Sequence, residues 1–112
     1  MSPEIRKSLF DMHNALLGIE LFTQGKTVRD LEDDLMLRLA VERQFEIIGE
    51  ALNRLRKADP SIAERISDAR GIIRFRNVLS HGYDNIDQSI TWRIITEKLP
   101  VLKGDLEKLL SP

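Results

Sequence analysis

Arg76, Asn77, Ser80, His81 and Tyr83 place a fixed cation, an amide, a hydroxyl, a titratable imidazole and a phenol within eight consecutive residues. An arginine fork suits a phosphate that gains negative charge in a transition state, and a histidine can give or take a proton near neutral pH. Together they suit phosphodiester cleavage. On RNA, His81 would help deprotonate the 2′-hydroxyl or protonate the leaving oxygen, while Arg76 would stabilise the phosphorane-like state. General acid–base help of this kind contributes roughly 10²–10⁴-fold. The scheme needs no metal and no cofactor. On spacing alone, a helix-end histidine beside a surface arginine is the better reading.

An element must bring these groups together, and a single helix does so poorly. At ~100° per residue, Arg76 and Tyr83 are almost eclipsed and Asn77 and His81 lie close, whereas Arg76 and His81 differ by about 140°. Convergence therefore calls for the reach of the arginine side chain, a helix end at His81-Gly82, or a second chain bringing its own copies across a two-fold axis. The segment is expected to be helical from Ile72 to about Ser80, with Ile72, Phe75 and Val78 or Leu79 facing the core. Gly82 is available as the left-handed residue after the helix end.

The remaining chain reads as scaffold. Ser2, Pro3 and Glu4 make a helix start, and Ile5, Leu9, Met12, Leu16 and Ile19 recur as one apolar stripe of a helix ending near Gly25. His13, next to that stripe, is expected to be partly buried or on the surface rather than a ligand. Thr27 or Asp30 can cap a long second helix whose apolar series is Leu31, Leu35, Leu39, Phe45, Ile48, Leu52 and Leu55. Gly49 lies inside it, where Gly costs roughly 1 kcal/mol relative to Ala, which points to close approach of another helix. Glu42, Arg43, Glu46 and Glu50 occupy its less apolar side, as an ion-paired or solvated face or as the polar lining of a site. Asp59-Pro60 breaks the helix, and a short one from about Ser61 to Ala69 follows, capped by Ser61 with Glu64 and separated by Gly71 from the reactive segment. Residues 84–87 have turn chemistry. Asp87 or Ser89 caps a last helical region that Pro100 should kink or divide. Trp92 and Met36 are expected to fill core or interface.

Composition bounds the rest. At 112 residues the chain fits one domain, 1–112, and 42% hydrophobic and 31% charged residues suit a helix-rich soluble protein. The absence of cysteine excludes disulfides, thiolate zinc sites and a thiol nucleophile, and makes a reducing cytoplasm the simplest location. Two histidines disfavour a His-rich metal site. No apolar run approaches the ~18 residues of a membrane span, and no secretory signal follows Arg6 and Lys7. The net charge of −1 is unevenly spread: Arg54–Arg76 holds seven bases and three acids, so that segment is +4 and the remainder −5. Phosphate would be drawn to it, with Arg70 and Arg74 as RNA-binding candidates.

Arg76-Asn77-Val78-Leu79-Ser80-His81-Gly82-Tyr83 resembles the R-x4-H-x-Y motif of the HepT-like toxins of the HEPN superfamily, formerly a DUF86 family. Ala40–Arg43, Ile47–Ala51, Ile86-Asp87 and Trp92 extend the similarity from about residue 30 to the C-terminus. The resemblance implies an all-α, antiparallel HEPN-type bundle of about five helices that forms a homodimer. It implies a metal-independent endoribonuclease with Arg76 and His81 as catalytic pair at a shared cleft, supported by Asn77 and Ser80. It also implies the toxin of a toxin–antitoxin module, whose partner, a minimal nucleotidyltransferase of the MntA type, modifies Tyr83 with AMP. Phosphate and bulk at that position would block RNA. The alternative within the same family is a non-catalytic module that binds nucleotide or RNA, or serves dimerisation.

Overall fold

The computed structural model describes residues 1–81 and 86–112. Helix α1 spans Pro3–Thr23, with the Ser2 hydroxyl accepting from the Ile5 N–H and Pro3 in the first turn, as its sequence predicts. Ile5, Leu9, Met12, Leu16 and Ile19 are all buried. The chain leaves the helix through Gly25, whose φ of +73° lies in the left-handed region that glycine tolerates without strain. His13 is partly buried, with Nε2 3.9 Å from a Glu107 carboxylate oxygen, in keeping with a scaffold position.

The long second helix proves to be two. Helix α2, Val28–Asp33, starts in a reciprocal capping box between Thr27 and Asp30 and ends at Asp34, whose carboxylate caps α3, Leu35–Ala58, by accepting from the Leu37 N–H. Arg38 holds the break by donating to the carbonyls of Leu31 and Glu32, which the end of α2 leaves without intrahelical partners. The break shifts the inward register. Leu37 and Val41 are buried, whereas the expected core residues Leu35 and Leu39 are exposed, as is Met36 at 80%. From Phe45 onward the expected series holds, with Ile48, Leu52 and Leu55 fully buried.

Asp59, not Ser61, caps the next segment: its carboxylate accepts from the Ser61 and Ile62 N–H groups, and Pro60 takes the first helical position. An aspartate directly before N1 proline supplies an acceptor where the Ser61 hydroxyl instead donates to that same carboxylate. The resulting helix α4, Pro60–Ala63, is a single turn rather than one reaching Ala69. Turns then lead to Asp68, at φ +54°, and to α5, Ala69–Ser80. Gly71 therefore sits inside α5 instead of before it, and the Asp68 carboxylate occupies the space its Cβ would need.

Asp87 caps α6, Gln88–Arg93, by accepting from the Ser89 N–H. A π-helical turn, Ile94–Lys98, joins it to α7, Leu99–Leu110. Pro100 offers no N–H, and the turn before it widens so that the Leu99 N–H donates to Ile94 O. Proline thus reshapes this rod without dividing it. Trp92 packs partly buried against the core.

Contacts fix the helix directions. Asp11 meets Arg54 while Gly18 faces Gln44, so α1 and α3 are antiparallel; Glu20 pairs with Lys103 and His13 with Glu107, so α1 and α7 are as well. Counting α6–π–α7 as one rod and setting aside the single turn α4, the bundle has the expected five helices, all-α, with no strand among the described residues. No described helix is long and apolar enough to cross a membrane. The expectations for Gly82, Tyr83 and the turn at Asp84-Asn85 concern positions outside the described residues.

Candidate active site

Helix α5 is the element that carries the reactive stretch, and one glycine on α3 sets how it packs. Phe75 and Leu79 face inward, and the Phe75 ring meets the Phe45 ring edge-on, with centroids 5.0 Å apart and planes at 85°. Val78, the alternative inward residue, is 41% exposed. Beside Phe75, the stem of Arg76 lies on the backbone of Gly49. A Cβ at position 49 would sit 2.6 Å from Arg76 Cβ and closer still to Cγ, atoms too near the α5 backbone to swing away. The close approach predicted from Gly49 is therefore this arginine.

The guanidinium is held at its far end as well. Nη1 donates to the Asn77 side-chain oxygen at 3.1 Å, and Nη2 lies 3.8 Å from a Glu50 carboxylate oxygen. Glu50 is also 3.9 Å from Arg43, which reaches Glu46 at 3.4 Å. Arg76 Nε is buried without a hydrogen-bond partner among the described residues. The carboxylates on the polar side of α3 thus combine the two readings the sequence left open, since Glu50 is ion-paired and its partner is the candidate catalytic cation. Sequence reasoning named Glu50 only as one of four polar residues on this face and did not pair it with Arg76; its position directly after a mid-helix glycine was the available signal. Farther along this face, partial burial pushes the Glu42 carboxyl above the ordinary glutamate range, with Arg38 opposing and Glu46 adding to the shift.

His81 ends α5, where its N–H donates to the Asn77 carbonyl at 3.1 Å, and its side chain is exposed. Ser80 is exposed in the last turn. The structure brings Asn77 to Arg76 and leaves Arg76 turned toward α3, while Arg70, Arg74, Asn77 and His81, at spacings of four, three and four residues, form an outer stripe of the helix within about 60°. Among the described residues, no group of three or more His, Asp or Glu side chains could hold a metal ion.

An all-α bundle whose Arg-x4-His stretch closes a helix packed through its arginine onto a glycine is consistent with a HEPN-type helical fold. Comparison with known proteins narrows this class. Residues 12–109 match the family described as Ribonuclease HepT-like, and the chain belongs to that family. A protein of Thermococcus cleftensis, named provisionally as ribonuclease HepT, is 35% identical over 105 residues, which cover 90% of this chain and 91% of that protein. A protein of Methanocaldococcus jannaschii, named provisionally as an RNase, is 29% identical over 93% of this chain and 94% of its own. Another from Caldanaerobacter subterraneus, named in the same provisional way, is 30% identical over 79% and 78%. No solved structure matches the chain at the same stringency.

Proposed function

We propose that the protein is a metal-independent endoribonuclease, the toxin of a toxin–antitoxin module, acting at a composite site between two copies of the chain. The observation that carries this reading is Arg76, a guanidinium immobilised by Gly49, Asn77 and Glu50 on the helix that ends in exposed His81. Arg76 binds and orients the scissile phosphate and stabilises its developing charge, and His81 moves the proton to or from a ribose or leaving oxygen. Asn77 holds the arginine fork, and Ser80 lines the last turn beside His81. The ribonuclease names given to the relatives support the substrate class.

A second copy answers the angular problem, because Arg76 and His81 point about 140° apart on one helix. The polar side of α3 offers the path. Leu35, Leu39, Glu46 and Glu50 fall on one face of that helix, so a partner that covered the exposed leucines would run along α3 to the carboxylate that holds Arg76. Val78, 41% exposed on α5 next to the reactive stretch, would be covered in the same way. Tyr83 is the site at which a nucleotidyltransferase antitoxin would attach AMP, adding charge and bulk next to His81.

The test is His81→Ala in the full chain, with folding verified by circular dichroism and cleavage of mixed-sequence RNA followed in chelator. Because His81 is exposed, the fold is retained and cleavage falls by about 10²-fold or more. Undiminished cleavage, or wild-type activity per chain that stays constant on dilution into a sedimenting monomer, overturns the composite ribonuclease. An intact dimer that binds RNA without cutting it would instead assign a binding module.

A further inference from the structure

Away from the Arg76–His81 stretch, the last turn of α3 and the start of α5 enclose a groove of about 620 Å³ whose charged lining is Arg56, Lys57 and Arg70 with Glu64 and Asp68. We propose that Arg56, Lys57 and Arg70 form a phosphate track that holds the single-stranded RNA flanking the bond cut at Arg76 and His81, an inference that rests on the ribonuclease reading. Three observations carry it.

The first is free charge. Arg54 is committed to Asp11 at 3.0 Å and Asp68 is engaged by Lys98 at 3.8 Å, whereas among the described residues none of Arg56, Lys57, Arg70 and Arg74 pairs with a carboxylate. All four are exposed. Glu64 is the one acid of the groove without an ionic partner among the described residues, so the cations outnumber it. Burial and packing do not require these side chains, and their common feature is an unneutralised positive field.

The second is alignment. Arg70, Arg74, Asn77 and His81 share the outer stripe of α5, and at ~1.5 Å rise per residue Arg70 stands about 16 Å from the helix-end histidine. Antiparallel packing continues the line onto α3, since Arg76 lies over Gly49 while Arg70 shares the groove with Arg56 and Lys57. Anions repeated over that distance belong to a polymer rather than to a single nucleotide. The third is shape. The track runs from a convex helix face into a recess, a path open to a flexible single strand and not to a duplex, whose stiffness extends over ~150 base pairs in the DNA case.

The experiment measures binding of a mixed-sequence 20-nucleotide single-stranded RNA at several salt concentrations, using the full chain with His81→Ala so that RNA is not consumed. Adding Arg56→Gln, Lys57→Gln and Arg70→Gln should make the slope of log Kd against log salt shallower by about 2, at ~0.7 per lost single-strand phosphate contact. With His81 intact, the triple variant should lose about tenfold in kcat/KM on the 20-mer at low salt and less than about twofold on a tetranucleotide too short to reach the groove. Single variants, each expected to change the slope by ~0.7, carry the test if the triple one melts early. An unchanged slope in a folded variant overturns the track. So does a variant that keeps its RNA slope and loses a protein partner, which would assign the groove to that protein. Wild-type protein that cuts no RNA overturns the ribonuclease reading, while the binding slope still decides whether the groove holds RNA.

Discussion

The two reactive side chains of α5 live in opposite settings. Arg76 is 31% exposed and fixed on three sides, by the Gly49 backbone, the Asn77 amide and the Glu50 carboxylate. His81, five residues on, sits exposed at the helix end. The fold thus fixes the guanidinium of Arg76 in place and leaves His81 on the surface; in the composite site proposed above, substrate or a second chain would bring the two together. A preorganised cation loses little freedom when phosphate arrives. If the proposed ribonuclease reading holds, placing the two on different sides of a helix also limits what a lone chain can do.

The sharpest way to break this contrast is to disturb the fixed half without touching its charge. Gly49→Ala puts a methyl group into the stem of Arg76, and α5 must move to make room. Alanine gains ~1 kcal/mol of helix propensity over glycine, while overpacking of this kind costs about 1–3 kcal/mol. Net destabilisation is therefore about 0–2 kcal/mol, read from denaturant melts. Cleavage should fall much further, by roughly 10²-fold, the loss expected when a catalytic group shifts by ~1 Å. A Gly49→Ala variant with full activity would mean that Arg76 does not act from the position α3 gives it.

The basis of that prediction was half legible in the sequence. Gly49 in the middle of a 24-residue helix announces a close neighbour because glycine there is otherwise a cost. The neighbour's identity was not legible, since residues 49 and 76 meet only once α5 packs across α3, and Glu50 does not differ locally from a residue of a solvated helix face. Helix α1 was legible throughout, because its cap, N1 proline and apolar stripe all point the same way. The stretch Leu31–Leu39 misled: leucines at 31, 35, 37 and 39 satisfy two registers, and the outcome depended on Asp34 serving as a cap while Arg38 closed the end of α2. Arg76, Asn77, Ser80 and His81 lie on or at the end of the helix expected for them, whereas the exposure of Leu35, Met36 and Leu39, on which the proposed second copy would dock, follows from the α2–α3 break and was not legible.

Glu50→Gln separates holding the arginine from charging it. At 3.8 Å and 42% exposure, the Glu50–Arg76 pair contributes within about 0–1 kcal/mol to stability, so the melting curve should barely move. A freed guanidinium loses orientation, and we expect about a tenfold loss in kcat with KM changed less than twofold. The smaller Glu50→Asp change, which keeps the charge and retracts it by one methylene, should restore part of kcat. A kcat unaffected by both substitutions would leave Gly49 and Asn77 as the only restraints on Arg76.

The smallest effect concerns the scaffold and sets the reactive half apart from it. Asp30, Asp59 and Asp87 are held below the ordinary aspartate range, Asp30 first by the Thr27 backbone N–H, Asp59 by the Ser61 hydroxyl and Asp87 by the Ser89 hydroxyl. A carboxyl whose folded value is depressed contributes stability that is present above its unfolded value of about 3.9 and is lost as pH falls through the folded value. Glu42 has the opposite sign: burial raises it, so the folded chain takes up its proton first and gains stability as pH falls from that raised value toward the ordinary glutamate range. Thermal melts from pH 7 downward should therefore hold or rise slightly to about pH 4.5 and then decline below ~4. Glu42→Gln should flatten the first arm and leave the second, while Asp59→Asn should weaken the second and leave the first. Neither substitution touches Arg76 or His81, so RNA cleavage at neutral pH should stay within about twofold of wild type; a larger loss would mean that the polar side of α3 reaches the reacting groups beyond Glu50.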